Sequence, residues 1–216
     1  MYMLEILGKL FGSIAKVKLM RLFLLNQEAG FDLADIKTRT GLDGKIAGEE
    51  LRRLTSIGFI SKKMIKKEVM LRGKKQTTTK RVSGYVFNQS FRYREALHNL
   101  LIDTEFVDHK NVSTRFKKAG KVKLLVLSGL FVKNTESPVD ILIVGDNLSQ
   151  SIIEKSIRHM ESEIGKELTY ALFETPEFLY RASMYDKLVR EIIDTPFVEL
   201  IDARILQQVP KITPRS

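Results

Sequence analysis

Leu33-Ala34-Asp35-Ile36-Lys37-Thr38-Arg39-Thr40-Gly41-Leu42, followed at once by a second helical pattern from Asp43 to Ile57, is the stretch from which the fold is read. Leu33 and Ile36 share one face of a helix by their spacing. Thr40-Gly41 stops that helix, because glycine tolerates the left-handed conformation that a C-terminal stop needs. Leu42 then plugs the turn, and Asp43 caps the next helix by accepting from its free N–H groups. In the second helix Ala47, Leu51, Leu54 and Ile57 keep the core period, whereas Lys45, Glu49, Arg52 and Arg53 fall off it. Gly58 ends the helix and Phe59-Ile60 opens a strand. The spacing predicts a helix-turn-helix whose second helix suits a DNA major groove.

Upstream, one helix is expected from Ser13, as its cap, to Asn26, with Ile14, Val17, Leu22, Phe23 and Leu25 supplying more apolar surface than a narrow stripe. A loop is expected over Gln27–Phe31. Downstream the period changes. Ile60, Met64, Ile65, Val69 and Leu71 alternate imperfectly with lysines, residues 72–81 read as a basic turn, and Val82, Tyr85, Val86 and Phe87 return as a second strand. Residues 61–81 hold nine Lys and Arg against the single Glu68. Such a hairpin suits contact with phosphate or entry into a minor groove; the same lysines also suit a solvated edge that resists sheet aggregation. The candidate DNA contacts are Lys37, Arg39, Lys45, Glu49, Arg52 and Arg53 on the helices, and Lys62, Lys63, Arg72, Lys74, Lys75, Lys80 and Arg81 on the hairpin. Lys45 and Arg52 suit base edges or phosphate, Arg53 suits phosphate, and Glu49 either accepts from cytosine N4 or is solvated. Gly44 and Gly48 lower the helix propensity by about 1 kcal/mol each. Either the backbone approaches DNA there, or packing alone tolerates them.

The 216 residues suit one large or two small domains, and the formal net charge is +10. Residues 1–100 hold 20 Lys and Arg against 9 Asp and Glu, and residues 101–216 hold 16 against 17, so the excess positive charge lies in the first half. That asymmetry points to a polyanion-binding module joined to a different kind of domain. No apolar run is long enough for a membrane span, no secretory leader is expected, and the absence of cysteine excludes disulfides and thiolate metal sites. A cytoplasmic protein is expected, with no membrane partner.

Asn88–Asp103 reads as a connecting helix, and residues 104–120 as a further short one ending at Gly120. Strands then alternate with helices: strands at 122–127, 139–144, 168–173 and 197–201, helices at 149–166 and 177–193, and a mobile tail over 203–216 carrying Pro210 and Pro214. The expected domains are therefore 1–89, connecting helices 90–120, 121–202, and the tail. The fold class is α+β.

Two family resemblances follow. Residues 13–88 resemble the winged helix-turn-helix domains of prokaryotic transcriptional regulators, most clearly at Thr40-Gly41-Leu42, Glu50-Leu51-Arg52-Arg53-Leu54 and Ile57-Gly58-Phe59-Ile60. Residues 121–201 resemble the minimal nucleotidyltransferase domain of the DNA polymerase β superfamily. There a first strand leads into Gly-Ser, and a second opens with Ser-Asp-x-Asp. The matching stretches are Leu127-Ser128-Gly129 and Ser137-Pro138-Val139-Asp140. Pro138 stands where the first carboxylate would, and the strand Leu168–Phe173 carries no acid, so Asp140 alone remains. One aspartate cannot hold the two Mg²⁺ ions that such transfer uses. The resemblance implies a vestigial nucleotide site at Ser128, Gly129, Ser137 and Asp140, with no metal, no cofactor and no catalysis.

His98, His109 and His159 are isolated, and no Walker, Gly-x-Ser-x-Gly or Gly-x-Gly-x-x-Gly motif occurs. The expectation is a sequence-specific, double-stranded DNA-binding regulator. Its C-terminal nucleotidyltransferase-like domain would serve homodimerisation or the sensing of a small-molecule or nucleotide effector. The alternative is a divergent Mg-dependent nucleotidyltransferase acting on a nucleic acid or protein; RNA binding through the same hairpin is a third reading.

Overall fold

A computed structural model describes residues 3–70, 77–103, 109–134, 136–202 and 204–209. The fold is of the α+β class, and the chain divides into two compact units. The first comprises residues 1–106 together with 158–166, and the second comprises 107–157 and 167–216. Residues 90–106 and a short later segment thus cluster with the first unit.

The first unit opens with α1 (Met3–Leu10), which the sequence reading did not anticipate, and α2 (Ile14–Leu25), whose first turn is capped by the Ser13 side chain accepting from Lys16 N–H at 3.2 Å. Then come β1 (Gly30–Phe31), α3 (Leu33–Thr40), α4 (Gly44–Ser56), β2 (Ile60–Met70) and β3 (Thr77–Phe87). The expected loop at 27–31 ends in that short strand, which pairs Gly30 with Val86 and Phe31 with Tyr85; two residues are too few to show an alternation. The sheet order is β1-β3-β2, antiparallel throughout.

Local chemistry places the turn between α3 and α4. Gly41 takes φ 65° and donates its N–H to the Lys37 carbonyl at 2.9 Å, which closes α3. Thr40 is buried, and its hydroxyl donates to the Ile36 carbonyl at 2.6 Å while accepting from Leu42 N–H. Asp43 caps α4 by accepting from Lys45 N–H at 2.8 Å. Ala47, Leu51 and Leu54 are buried as their period predicts, but Ile57 is 62% exposed, because the helix has already ended at Ser56. Leu33 is exposed too, leaving Ile36 as the buried anchor of α3.

At the centre lies α2, with Val17, Leu19, Met20, Leu22, Phe23 and Leu24 all buried. Arg21 is buried with them at 1% exposure. Its Nε donates to the Leu101 carbonyl and one Nη to the Glu163 carbonyl, both at 3.0 Å, and the other Nη has no hydrogen-bond partner among the described residues. Leu101 lies in the π-helical turn Asn99–Asp103 that follows the short α5 (Arg94–His98), so the expected single helix 88–103 is split. Burial pushes the guanidinium pKa down to about 10, with the Glu163 carboxylate pulling the other way. Lys18 Nζ donates to the Thr40 carbonyl at 3.0 Å, and Asn26 Nδ2 to the carbonyls of Leu22 and Gly165. Lys18 and Arg21 of α2, and Asn26 at its C-terminal cap, thereby satisfy carbonyls of other segments.

The second unit contains α6 (His109–Phe116), β4 (Lys121–Leu127), β5 (Ile141–Asp146), the first part of α7 (Gln150–Ile164), β6 (Tyr170–Glu174), α8 (Thr175–Ser183), α9 (Lys187–Ile193) and β7 (Val198–Asp202). Its sheet order is β6-β5-β4-β7, with β5 and β6 parallel and the other pairs antiparallel. A parallel pair needs a crossover, which α7 provides. The expected helix 177–193 is two helices. Tyr185 turns left-handed at φ 55°, and Asp186 caps α9 by accepting from Val189 N–H, so the apolar period runs across a break. Ile205 and Val209 are buried in this unit's core, so that part of the 203–216 segment, expected to be mobile, is packed.

Truncating Arg21 to Ala removes the donor from two carbonyls inside the core. An expected loss of about 3 kcal/mol, the scale of breaking a buried charged interaction, would appear as a lower urea midpoint for unfolding.

Candidate nucleic-acid interface

The outward face of α4 is set by its period. With Ala47, Glu50, Leu51 and Leu54 buried, Lys45, Arg52 and Ser56 point to solvent, flanked by Gly48 and the half-buried Glu49. Lys37, on α3, is also exposed, and its methylenes lie 3.4–3.6 Å from where a side chain on Gly44 would begin, so it sits beside the start of α4. Lys37, Lys45 and Arg52 form no ion pair with any described residue.

Two other expected contacts on these helices are already engaged. Arg53 Nη1 reaches the Glu50 carboxylate at 3.0 Å, though Arg53 itself remains exposed. Glu50 is buried, with Lys16 Nζ 3.9 Å away on its other oxygen, so it needs that cation. The Arg39 guanidinium lies 5.2 Å from the centre of the Phe31 ring, a cation–π arrangement that holds it against the first unit's core.

On the hairpin, side chains alternate. Lys62, Met64, Lys66 and Glu68 of β2 share an exposed face with Thr79, Arg81 and Ser83 of β3. Lys66 stands directly opposite Arg81, a like-charge pair that destabilises the ribbon locally. On the other face Lys67 stands opposite Lys80. Lys62, Lys63, Lys66, Lys80 and Arg81 have no acidic partner among the described residues. Arg72, Lys74 and Lys75, also expected to contact DNA, lie outside the described residues.

Lys67 has a different task. Its Nζ donates to Asp32 at 2.6 Å and to Asp35 at 2.7 Å. These two aspartates form the capping box of α3: Asp32 accepts from Asp35 N–H at 2.8 Å, and Asp35 accepts from Asp32 N–H at 3.2 Å. Two carboxylates at one helix start repel, and the lysine neutralises both while tying the hairpin to α3. Burial raises the Asp32 pKa, but hydrogen bonds from Lys67 and the Asp35 backbone outweigh it, so the net shift is downward. Hydrogen bonds to Asp32 and Asp35 raise that of Lys67. Sequence reasoning assigned Lys67 only to the general basic count, because its partners are 32 and 35 residues away.

In the second unit the structure brings Ser128, Gly129, Ser137 and Asp140 together. Ser128 Oγ donates to Ser137 Oγ at 2.6 Å, and Ser137 Oγ donates to the Val139 carbonyl at 2.8 Å. Asp140 Oδ1 accepts from Leu130 N–H at 2.7 Å and Oδ2 from Thr169 N–H at 2.8 Å. A Cβ on Gly129 would come within 2.5 Å of Oδ1, so only glycine allows this approach. The carboxylate therefore braces the loop after β4 against the residue before β6. No group of three or more metal-ligating side chains occurs among the described residues, and no helix there is long and apolar enough to cross a membrane.

Replacing Lys67 with Ala is expected to lower the melting temperature at neutral pH by about 2–4 °C. The lowered Asp32 pKa makes the clamp's contribution present above 3.8 and lost as pH falls through the depressed value. The raised Lys67 pKa makes it present below 10.5 and lost above that. The gap between the melting temperatures of the two proteins should therefore stay constant from pH 7 to about pH 5 and narrow as pH falls below 3.8. Asp140→Ala, which orphans two N–H groups, should cost about 2 kcal/mol, read by urea unfolding, and added Mg²⁺ should not shift the wild-type melt.

The chain matches no family model, no curated protein and no solved structure.

Proposed function

We propose that the protein is a sequence-specific, double-stranded DNA-binding transcriptional regulator. In this reading α2–α4 and the three-stranded sheet are a winged helix-turn-helix, with α4 as the recognition helix and the β2–β3 hairpin as the wing. The observation that carries it is the run of exposed cations on α4 and the hairpin that make no ion pair with any described residue. Lys45, Arg52, Lys62, Lys66 and Arg81 have no acidic partner among the described residues, and two of them face each other across the strands. A phosphate backbone supplies the missing countercharge, releases condensed cations on binding, and so converts a local electrostatic cost into affinity.

The two patches divide the work. Hairpin cations contact phosphate and fix the register on the duplex, while Lys45 and Arg52 are placed to reach base edges from the outward face of α4. Arg53 and Arg39 hold the scaffold through Glu50 and Phe31. The second unit is a catalytically silent nucleotidyltransferase-like domain serving dimerisation or effector sensing. Supporting its silence is Asp140, whose two oxygens are both taken up by backbone N–H groups.

Titration with duplex DNA at increasing salt tests the reading. Neutralising about 5 phosphates per subunit gives a slope near −4.5 for log affinity against log salt, and a slope near zero would remove the proposal. Arg81→Glu turns the facing cations into a Lys66–Glu pair. It is expected to leave the melting temperature unchanged or raised while weakening duplex binding by about tenfold or more.

A further inference from the structure

We infer that Gly48 is the point at which the nucleic acid comes closest to the backbone of α4, and that the helix keeps a glycine there for this contact alone. The inference rests on the DNA-binding reading above and adds a specific steric demand to it. Glycine is the poorest helix former after proline, and Gly48 lies well inside a helix running from Gly44 to Ser56. Several other glycines of this protein have a reason inside the fold. A Cβ on Gly84 would come within 2.5 Å of Ile65 and 2.8 Å of the Phe31 carbonyl, and one on Gly8 within 2.5 Å of Ile14. Gly41 and Gly58 have positive φ. Gly48 has neither property: a Cβ there would meet nothing within 4 Å, and its φ is not in the left-handed region.

What surrounds Gly48 is the outward face of α4. Lys45 lies one turn before it and Arg52 one turn after, both exposed and both without an acidic partner among the described residues. Bare backbone between two free cations lets a phosphate or a base edge reach the helix surface while both flanking side chains close on it. A methyl group would hold the duplex away from both cations together, so the loss should fall on affinity and not on folding.

Gly48→Ala tests this in the full chain, with melting temperature and fluorescence-anisotropy titration of a duplex selected from a random pool by the wild type. The expected result is a melting temperature raised by about 2–4 °C together with an affinity lowered about tenfold or more. Unchanged affinity overturns the inference and leaves the DNA-binding reading standing. A lowered melting temperature also overturns it, since the glycine would then serve the fold. A wild type that binds no duplex in the selection removes the DNA-binding reading and this inference with it.

Discussion

A helix buried on nearly every side must find partners for each polar group it carries, and α2 is that helix. Its apolar residues fill the first unit, with Arg21 buried among them and Lys18 and Asn26 half-buried. Each donates to carbonyls of other segments: Thr40, Leu101, Glu163 and Gly165. Helix and turn ends carry unsatisfied carbonyls and a partial negative charge, so a cation or amide donor there removes two penalties together. The end of α3, and with it the turn that sets the direction of α4, is held partly by Lys18.

A second ionic arrangement works beside the first. Asp32 and Asp35 close the first turn of α3 and would repel each other without Lys67, and that lysine belongs to the hairpin. Cap, helix and ribbon are thus one electrostatic unit, anchored at both ends of α3. The cations divide accordingly into those that hold the structure, such as Arg21, Arg53 and Lys67, and those with no acidic partner among the described residues, such as Lys45, Arg52 and Arg81. Total charge cannot make that division, because a neutralised lysine and a free one count the same.

Much of the fold was readable because local rules and tertiary packing agree. Ser13, Asp43 and Gly41 cap or stop helices where their chemistry predicts, and Ala47, Leu51 and Leu54 are buried at their period. Misreadings have local causes. Ile57 continues a pattern past the end of its helix. Tyr185 breaks a helix that apolar spacing carries through. The short strand at Gly30–Phe31 has too few residues to show a period, and nothing local marks the charged Arg21 as part of the core.

The candidate site shows the same boundary more sharply. Position along a helix or strand depends on near neighbours, so the order of residues alone established the outward placement of Lys45 and Arg52 and the basic character of the hairpin. Whether a given cation is free depends on acids far away in the chain, as with Lys67 and its two aspartates. Only folding brings such groups within hydrogen-bonding range. In the same way, Asp140 became a brace when the loop at Leu130 and the strand entry at Thr169 closed on its two oxygens, contacts spanning 10 and 29 residues that no local pattern encodes.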